Sequence, residues 1–221
     1  MIKDISVVLL GAGKSKRFDT NTLKQNVKIH DKRVIDYSVD FFRKHFNASK
    51  KYFVINKKIQ LKTLTENEHI LYGSTSRLKS LNNCLNYISR NNLQTKYLLV
   101  HDVARPVLNL ADIKKIIREI HKKVDGSTLG YPLTNAVKEV KNNTIYYNIH
   151  KSNLWSTFTP QIFKMEKLYQ SVKACLDEKY DVDDDIEALL LNSLKCSMIM
   201  SSPTNIKVTY KSDINYIKKL L

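Results

Sequence analysis

The sequence has no apolar run approaching the roughly 20 residues of a membrane-spanning helix. Its N-terminal stretch MIKDISVVLLGAG turns into a glycine loop too soon for a signal peptide, so a cytoplasmic protein with no membrane partner is expected. Cysteine is scarce: Cys84, Cys175 and Cys196 lie far apart without CxxC spacing, which speaks against a disulfide framework or zinc ribbon and for reduced, buried thiols. Six histidines, His30, His45, His69, His101, His121 and His150, show no metal-ligand spacing, and no Ser-His-Asp or Cys-His set stands out. Five glycines and four prolines, with 43% hydrophobic and 26% charged residues, are not the balance of a low-complexity or disordered chain. With neither repeat nor linker, residues 1–221 read as a single domain, long enough to bury a core unaided. Acidic residues are in deficit, 21 against 37 Lys and Arg, for a net charge of +16. That excess favours an anionic partner. The lysines are scattered, with no basic block or aromatic-interleaved motif, so no nucleic-acid module is expected.

What is present is an alternation of strand-length apolar runs with segments of helical period, the pattern of an α/β fold with a mainly parallel sheet. The expected strands are ISVVLL from Ile5, KYFVI from Lys51, KYLLVHD from Lys96, GSTLGYP from Gly126 and SMIM from Ser197. A helix from Val34 would put Val34, Tyr37, Ser38, Phe41 and Phe42 on one stripe. Further helices are expected over Arg77–Ile88 and Asp112–Val124, the latter with Ile113, Ile116, Ile117 and Ile120 inward. Ala136–Ser152 breaks the alternation as two short polar strands around Asn142 and Asn143, either a surface excursion or an arm reaching a partner.

The segment GAGKS from Gly11 invites comparison with phosphate-binding loops. A P-loop needs a glycine five residues before Gly13, where Val8 stands inside the strand. The dinucleotide fingerprint needs a third glycine where Lys16 stands. Both fail, leaving a glycine-containing turn whose amides can face an anion, followed by Arg17 and Lys24; a bare strand-to-helix turn would use glycine as well. Downstream, Gly73 precedes a helix start for which Ser74, Thr75 and Ser76 are suitable caps. In VHDVARP, Asp102 and Arg105 fall at the carboxyl end of a strand, where open α/β sheets bind ligands. Asp102 is a hard oxygen donor suited to Mg²⁺ when phosphates complete its shell. His101 should point to the opposite face from Asp102. The run Asp181, Asp183, Asp184 and Asp185 suits a helix N-terminus or the lining of a pocket better than a metal site.

Taken in order, LGAGKSKRF with LKQ, GSTSRLKSL, VHDVARP, NLWSTFTPQIF, DVDDDIEAL and SPTNIKVT resemble the sugar-alcohol phosphate cytidylyltransferases, above all the 2-C-methyl-D-erythritol 4-phosphate cytidylyltransferase family, from about residue 4 to 220. The resemblance implies a Rossmann-like α/β fold, a twisted sheet flanked by helices, and a homodimer joined through a protruding β-arm at 136–152. It also implies CTP as substrate, Mg²⁺ as cofactor and transfer of CMP to a polyol phosphate in the non-mevalonate isoprenoid route. Position by position, Gly11, Ala12, Gly13, Arg17 and Lys24 match the triphosphate site, and Ser74, Thr75 and Ser80 the cytosine and ribose site. Asp102 matches the metal ligand, and Lys207 a lysine that reaches the reacting phosphates. Arg105, Thr159 and Asp183 match the acceptor side, with Lys151 arriving from the other subunit. Lys151 stands where arginine is usual, Ala136 and Asp183 where threonine is usual, and Ser15 where glycine is common. These changes cluster on the acceptor side and leave ribitol 5-phosphate as an alternative acceptor, in an enzyme making a CDP-polyol for surface polymers. A non-catalytic binding protein of the same fold is a third reading, against which Arg17, Lys24, Asp102 and Lys207 all speak.

Overall fold

The computed structural model describes residues 4–15, 17–19, 21–62 and 64–221; Lys16 lies outside them. In chain order come β1 (Ile5–Gly11), a 3₁₀ turn (Lys24–Asn26), β2 (Lys28–Ile29), β3 (Lys32–Arg33), α1 (Val34–His45), β4 (Lys51–Ile55) and β5 (Glu68–Tyr72). Then follow α2 (Arg77–Arg90), β6 (Tyr97–Asp102), α3 (Leu110–Glu119), β7 (Gly126–Pro132), β8 (Val137–Lys141) and β9 (Thr144–Ile149). The chain closes with β10 (Trp155–Lys164), α4 (Met165–Asp177), α5 (Asp185–Leu191), β11 (Cys196–Met200) and α6 (Asp213–Lys218).

Seven strands form one sheet in the order β11-β7-β10-β6-β1-β4-β5. β1 pairs in parallel with both β4 and β6, β4 with β5 and β11 with β7, while β10 runs antiparallel between β6 and β7. The chain leaves β1 toward β4 and β5, then returns to β6 on its other side. That reversal opens a crevice beyond the carboxyl ends of β1 and β6, the place where such sheets bind ligands.

Alternation along β1 builds two cores. Ile5, Val7 and Leu9 join Ile35, Val39 and Phe42 of α1 and Ile113, Ile116 and Ile117 of α3. Val8 and Leu10 join Leu81 and Leu85 of α2, Leu168 and Val172 of α4 and Leu189 of α5. The α1 stripe is rotated from the sequence expectation: Ile35 and Val39 are buried, while Tyr37 and Phe41 are only partly so. α3 ends at Glu119, with Ile113, Ile116, Ile117 and Ile120 inward as the spacing predicts. A third, smaller cluster of Phe18, Ile29, Val34, Val208 and Ile217 ties the loop after β1 to the C-terminal segment. Burying one such side chain contributes about 1.5–3 kcal/mol.

β8 and β9 form a separate two-stranded hairpin. Asn142 and Asn143 at its tip have φ of 49° and 61°, the left-handed pair a tight hairpin turn requires. Among the described residues no helix is long and apolar enough to cross a membrane.

Candidate active site

A cleft of about 290 Å³ lies at the carboxyl ends of β1 and β6, bordered by Ala12, Gly13, Arg17, Lys24, Asp102 and Lys207. Its first wall is the loop after β1. Gln25, almost wholly buried, donates from Nε2 to the carbonyls of Gly11 (2.9 Å) and Gly13 (3.1 Å). No described glycine has a positive φ; Ser15 does, at 58°. Its hydroxyl donates to Gln25 Oε1 (3.2 Å) and accepts from the Lys24 amide (3.0 Å), so the special backbone conformation is held by the very side chain that stands in place of glycine.

The second wall begins at Gly73. A Cβ there would stand 2.0 Å from Ala12 Cβ, so only glycine lets the two loops touch. Ser80 Oγ accepts from the Ser74 amide (2.9 Å), and Ser76 caps α2 by accepting from the Lys79 amide (3.1 Å). Ser74, Thr75 and Ser80 thereby meet the β1 loop across the cleft.

The floor is charged. Asp102, the last residue of β6, accepts from Lys207 Nζ at 2.6 Å and from Arg77 Nε at 3.0 Å. Arg77 also forks onto Asp185, with bonds of 2.6 and 2.9 Å. Burial would raise the Asp102 carboxyl, but Arg77 and Lys207 overcome it and hold the group far below its ordinary value; it is ionised at any working pH. Burial acts to lower the Arg77 guanidinium, yet Asp185 and Asp102 hold it above its ordinary value. Lys24 donates to the Val208 carbonyl at 2.5 Å. Burial first, and then repulsion from Lys207, pulls its ammonium down to about 8, with Asp102 pulling the other way.

On the acceptor side the predicted residues separate. Thr159 is buried; its Oγ1 accepts from the Asp102 amide (3.0 Å), and its carbonyl accepts from Asn205 Nδ2 (2.8 Å). Arg105 donates to the Asn205 carbonyl (2.8 Å) and lies over the Phe158 ring at 5.6 Å. Arg105 Nε and Asn205 Oδ1 are buried without a hydrogen-bond partner. His101 faces away from Asp102, between Ser38 and Thr159 (3.3 and 3.2 Å); burial drives its imidazole down to about 3, so it is neutral. Lys151 is exposed at the base of the hairpin, its Nζ on the Thr134 carbonyl. Asp183 is exposed and is not brought to the cleft. Of the acidic run it is Asp184 that caps α5, accepting from the Glu187 amide at 2.9 Å, and Asp185 that pairs with Arg77.

Arg77, Gln25 and Asn205 carry no site signal in the sequence, and Asp185 is legible there only as one of an acidic run suited to a helix start or a pocket lining. Each has its partner far along the chain or acts through a backbone carbonyl, and no spacing rule reports such a contact. No three His, Cys, Asp or Glu side chains among the described residues cluster as a metal cage. The single ionised carboxylate of Asp102 at the cleft floor fits Mg²⁺, which binds through one or two carboxylates with substrate phosphates completing its shell.

Residues 5–221 match the family model described as IspD, 2-C-methyl-D-erythritol 4-phosphate cytidylyltransferase. A protein of that name from Wigglesworthia glossinidia brevipalpis is 29% identical over 218 residues, covering 96% of this chain and 93% of the relative. One from Haemophilus influenzae (strain PittEE) is 28% identical, covering 97% and 95%. Among solved structures, the Francisella tularensis 2-C-methyl-D-erythritol 4-phosphate cytidylyltransferase superposes with a TM-score of 0.87 at 22% identity, covering 99% of this chain and 100% of that one.

Proposed function

The chain belongs to the 2-C-methyl-D-erythritol 4-phosphate cytidylyltransferase (IspD) family, and from that membership we propose how its cleft works. It is a CTP-dependent nucleotidyltransferase that acts on 2-C-methyl-D-erythritol 4-phosphate in isoprenoid biosynthesis. An acceptor phosphate oxygen attacks the α-phosphorus of CTP in line. A new P–O–P linkage forms, the bond to the β-phosphate oxygen breaks, and pyrophosphate leaves with the electron pair. The nucleophile is already an anion at neutral pH, so no side chain has to remove a proton. What remains for the protein is positioning and neutralisation of charge.

Arg17 and Lys24 neutralise the triphosphate at the β1 loop of Gly11, Ala12 and Gly13. Lys24 and Lys207 each have three ammonium donors; one goes to Val208 or Asp102, and the others are free to reach phosphate oxygens. Ser74, Thr75 and Ser80 face the nucleoside. Asp102 would hold Mg²⁺, which supplies further positive charge to the phosphates when bound. Arg105 and Thr159 hold the acceptor phosphate. The β8–β9 hairpin joins two copies of this single-domain chain into a homodimer and carries the partner subunit's Lys151 to the acceptor. Lysine serves there as a point charge without arginine's fork.

The observation that carries this reading is the convergence of Arg17, Lys24, Arg77, Asp102 and Lys207, from separate parts of the chain, on one cleft at the carboxyl edge of the sheet. A pyrophosphate-release assay with CTP, Mg²⁺ and a panel of methylerythritol 4-phosphate, ribitol 5-phosphate and glycerol phosphate tests it. Turnover is expected with methylerythritol 4-phosphate. Preference for ribitol 5-phosphate would reassign the acceptor, and turnover with none would overturn the mechanism.

A further inference from the structure

We propose that Asp185 is a positioning residue for cytidylyl transfer: through Arg77 it fixes the direction of the Asp102 carboxylate. The proposal rests on the reading of Asp102 as a group that serves the reacting phosphates.

The geometry is a chain of fixed parts. Gln161, fully buried in β10, donates from Nε2 to Thr128 Oγ1 (3.0 Å) and to Asp184 Oδ2 (2.8 Å). Asp184 holds the first turn of α5 with its other oxygen, so the start of that helix is tied to the sheet. Asp185 follows, its side chain wholly buried, and takes both terminal nitrogens of Arg77, 108 residues away in sequence. A guanidinium is planar and rigid. Fixing two of its nitrogens therefore fixes the third, and Nε–H points at Asp102 Oδ1 from 3.0 Å. Lys207 holds the other Asp102 oxygen, so the carboxylate is gripped from both sides.

The charges support the same division of labour. Arg77 and Lys207 pair with Asp102 and Asp185, and among the described residues lining the cleft Lys14, Arg17, Lys24, Arg77 and Lys207 stand against the single carboxylate of Asp102, an excess of positive charge that suits a triphosphate. Asp185 does not border the cleft; its hydrogen bonds toward the site run through Arg77. With its charge removed, Arg77 loses its fork and Asp102 loses its fixed direction.

Asp185→Asn keeps the shape and removes the charge. Its kcat should fall about 10- to 100-fold, the range for a residue that orients a ligand of the reacting centre, while CTP affinity measured by calorimetry in EDTA is retained. Asp185→Glu should recover part of the loss. Arg77→Gln combined with Asp185→Asn should be no slower than Arg77→Gln alone, because the two act in series. A merely structural role would lower the melting temperature and leave kcat per folded molecule unchanged; that result, or losses that multiply in the double variant, overturns the proposal. Should Asp185→Asn fail to fold, Arg77→Lys decides: its side chain is 26% exposed, it keeps the charge without the fork, and an unchanged kcat would likewise overturn the proposal. Wild-type enzyme in the same assay separates the two levels. Its inactivity sinks the functional reading, whereas an active wild type beside an unaffected Asp185→Asn sinks only the role of Asp185.

Discussion

Lys24 sits where burial and like charge meet. Loss of hydration, then Lys207, and further Arg17 and Arg105 all disfavour its ammonium, and Asp102 alone among its strong neighbours supports it. With the group drawn down to about 8, its charge is present below that pH and lost above it. The alkaline limb of kcat/KM for CTP should therefore be centred near 8, because that ratio reports the free enzyme. The same limb in kcat should lie higher, since a bound triphosphate stabilises the ammonium. A limb confined to the ordinary lysine range near 10.5 would refute this account. Lys24→Ala should lower kcat by about 10²–10³-fold, the scale for removing one group that stabilises developing charge, with an unchanged circular dichroism spectrum.

The loop after β1 shows how one element absorbs an unusual residue. A non-glycine residue in the left-handed region costs about 1–2 kcal/mol, and each hydrogen bond made by the Ser15 hydroxyl returns about 0.5–1.5 kcal/mol. Ser15→Gly removes both strain and bonds and should change stability by less than about 1 kcal/mol. Ser15→Ala keeps the strain and loses the bonds, so urea unfolding should show it destabilised by about 1–3 kcal/mol. An alanine variant as stable as wild type would rule out this compensation. Other elements were unevenly legible. β4 and β7 stand where the apolar runs predict them, but β10 was not foreseen as a strand. Its Pro160 argues against a strand from sequence alone, and it is tolerated because it falls at an irregularity, where the pairing with β7 shifts register between Phe158 and Gln161. The β1 loop leads into a 3₁₀ turn at Lys24–Asn26 and β2 before the first α-helix begins at Val34.

At the scale of the molecule, the hairpin stands apart from the two cores. Val140, Ile145 and Tyr147 on it are 55%, 63% and 66% exposed, and an isolated two-stranded hairpin is at best marginally stable in water. A second copy of the chain covering this surface would explain both its composition and the position of Lys151. Mixing a Lys151→Ala chain with a Lys24→Ala chain should then restore activity, because a mixed dimer holds one cleft with an intact Lys24 and an intact partner's Lys151. Absence of rescue in a sample that sedimentation shows to be dimeric would count against an arm acting in trans.

By itself the sequence determined the α/β class, the failure of the P-loop and dinucleotide readings at Val8 and Lys16, and the candidacy of Asp102 at a strand end. These follow from local period and spacing, which a linear string carries. Its ordered motifs also carried the family. Only the tertiary structure decided that Asp185, buried behind the cleft, is the carboxylate of the acidic run that takes Arg77, that Arg77 joins it to Asp102, and that Gln25 and Asn205 hold the cleft's loops. Those choices depend on directions in space, since adjacent residues at a helix start point to different sides. They also depend on contacts across the fold, whose energies arise only once burial has stripped the water from both partners.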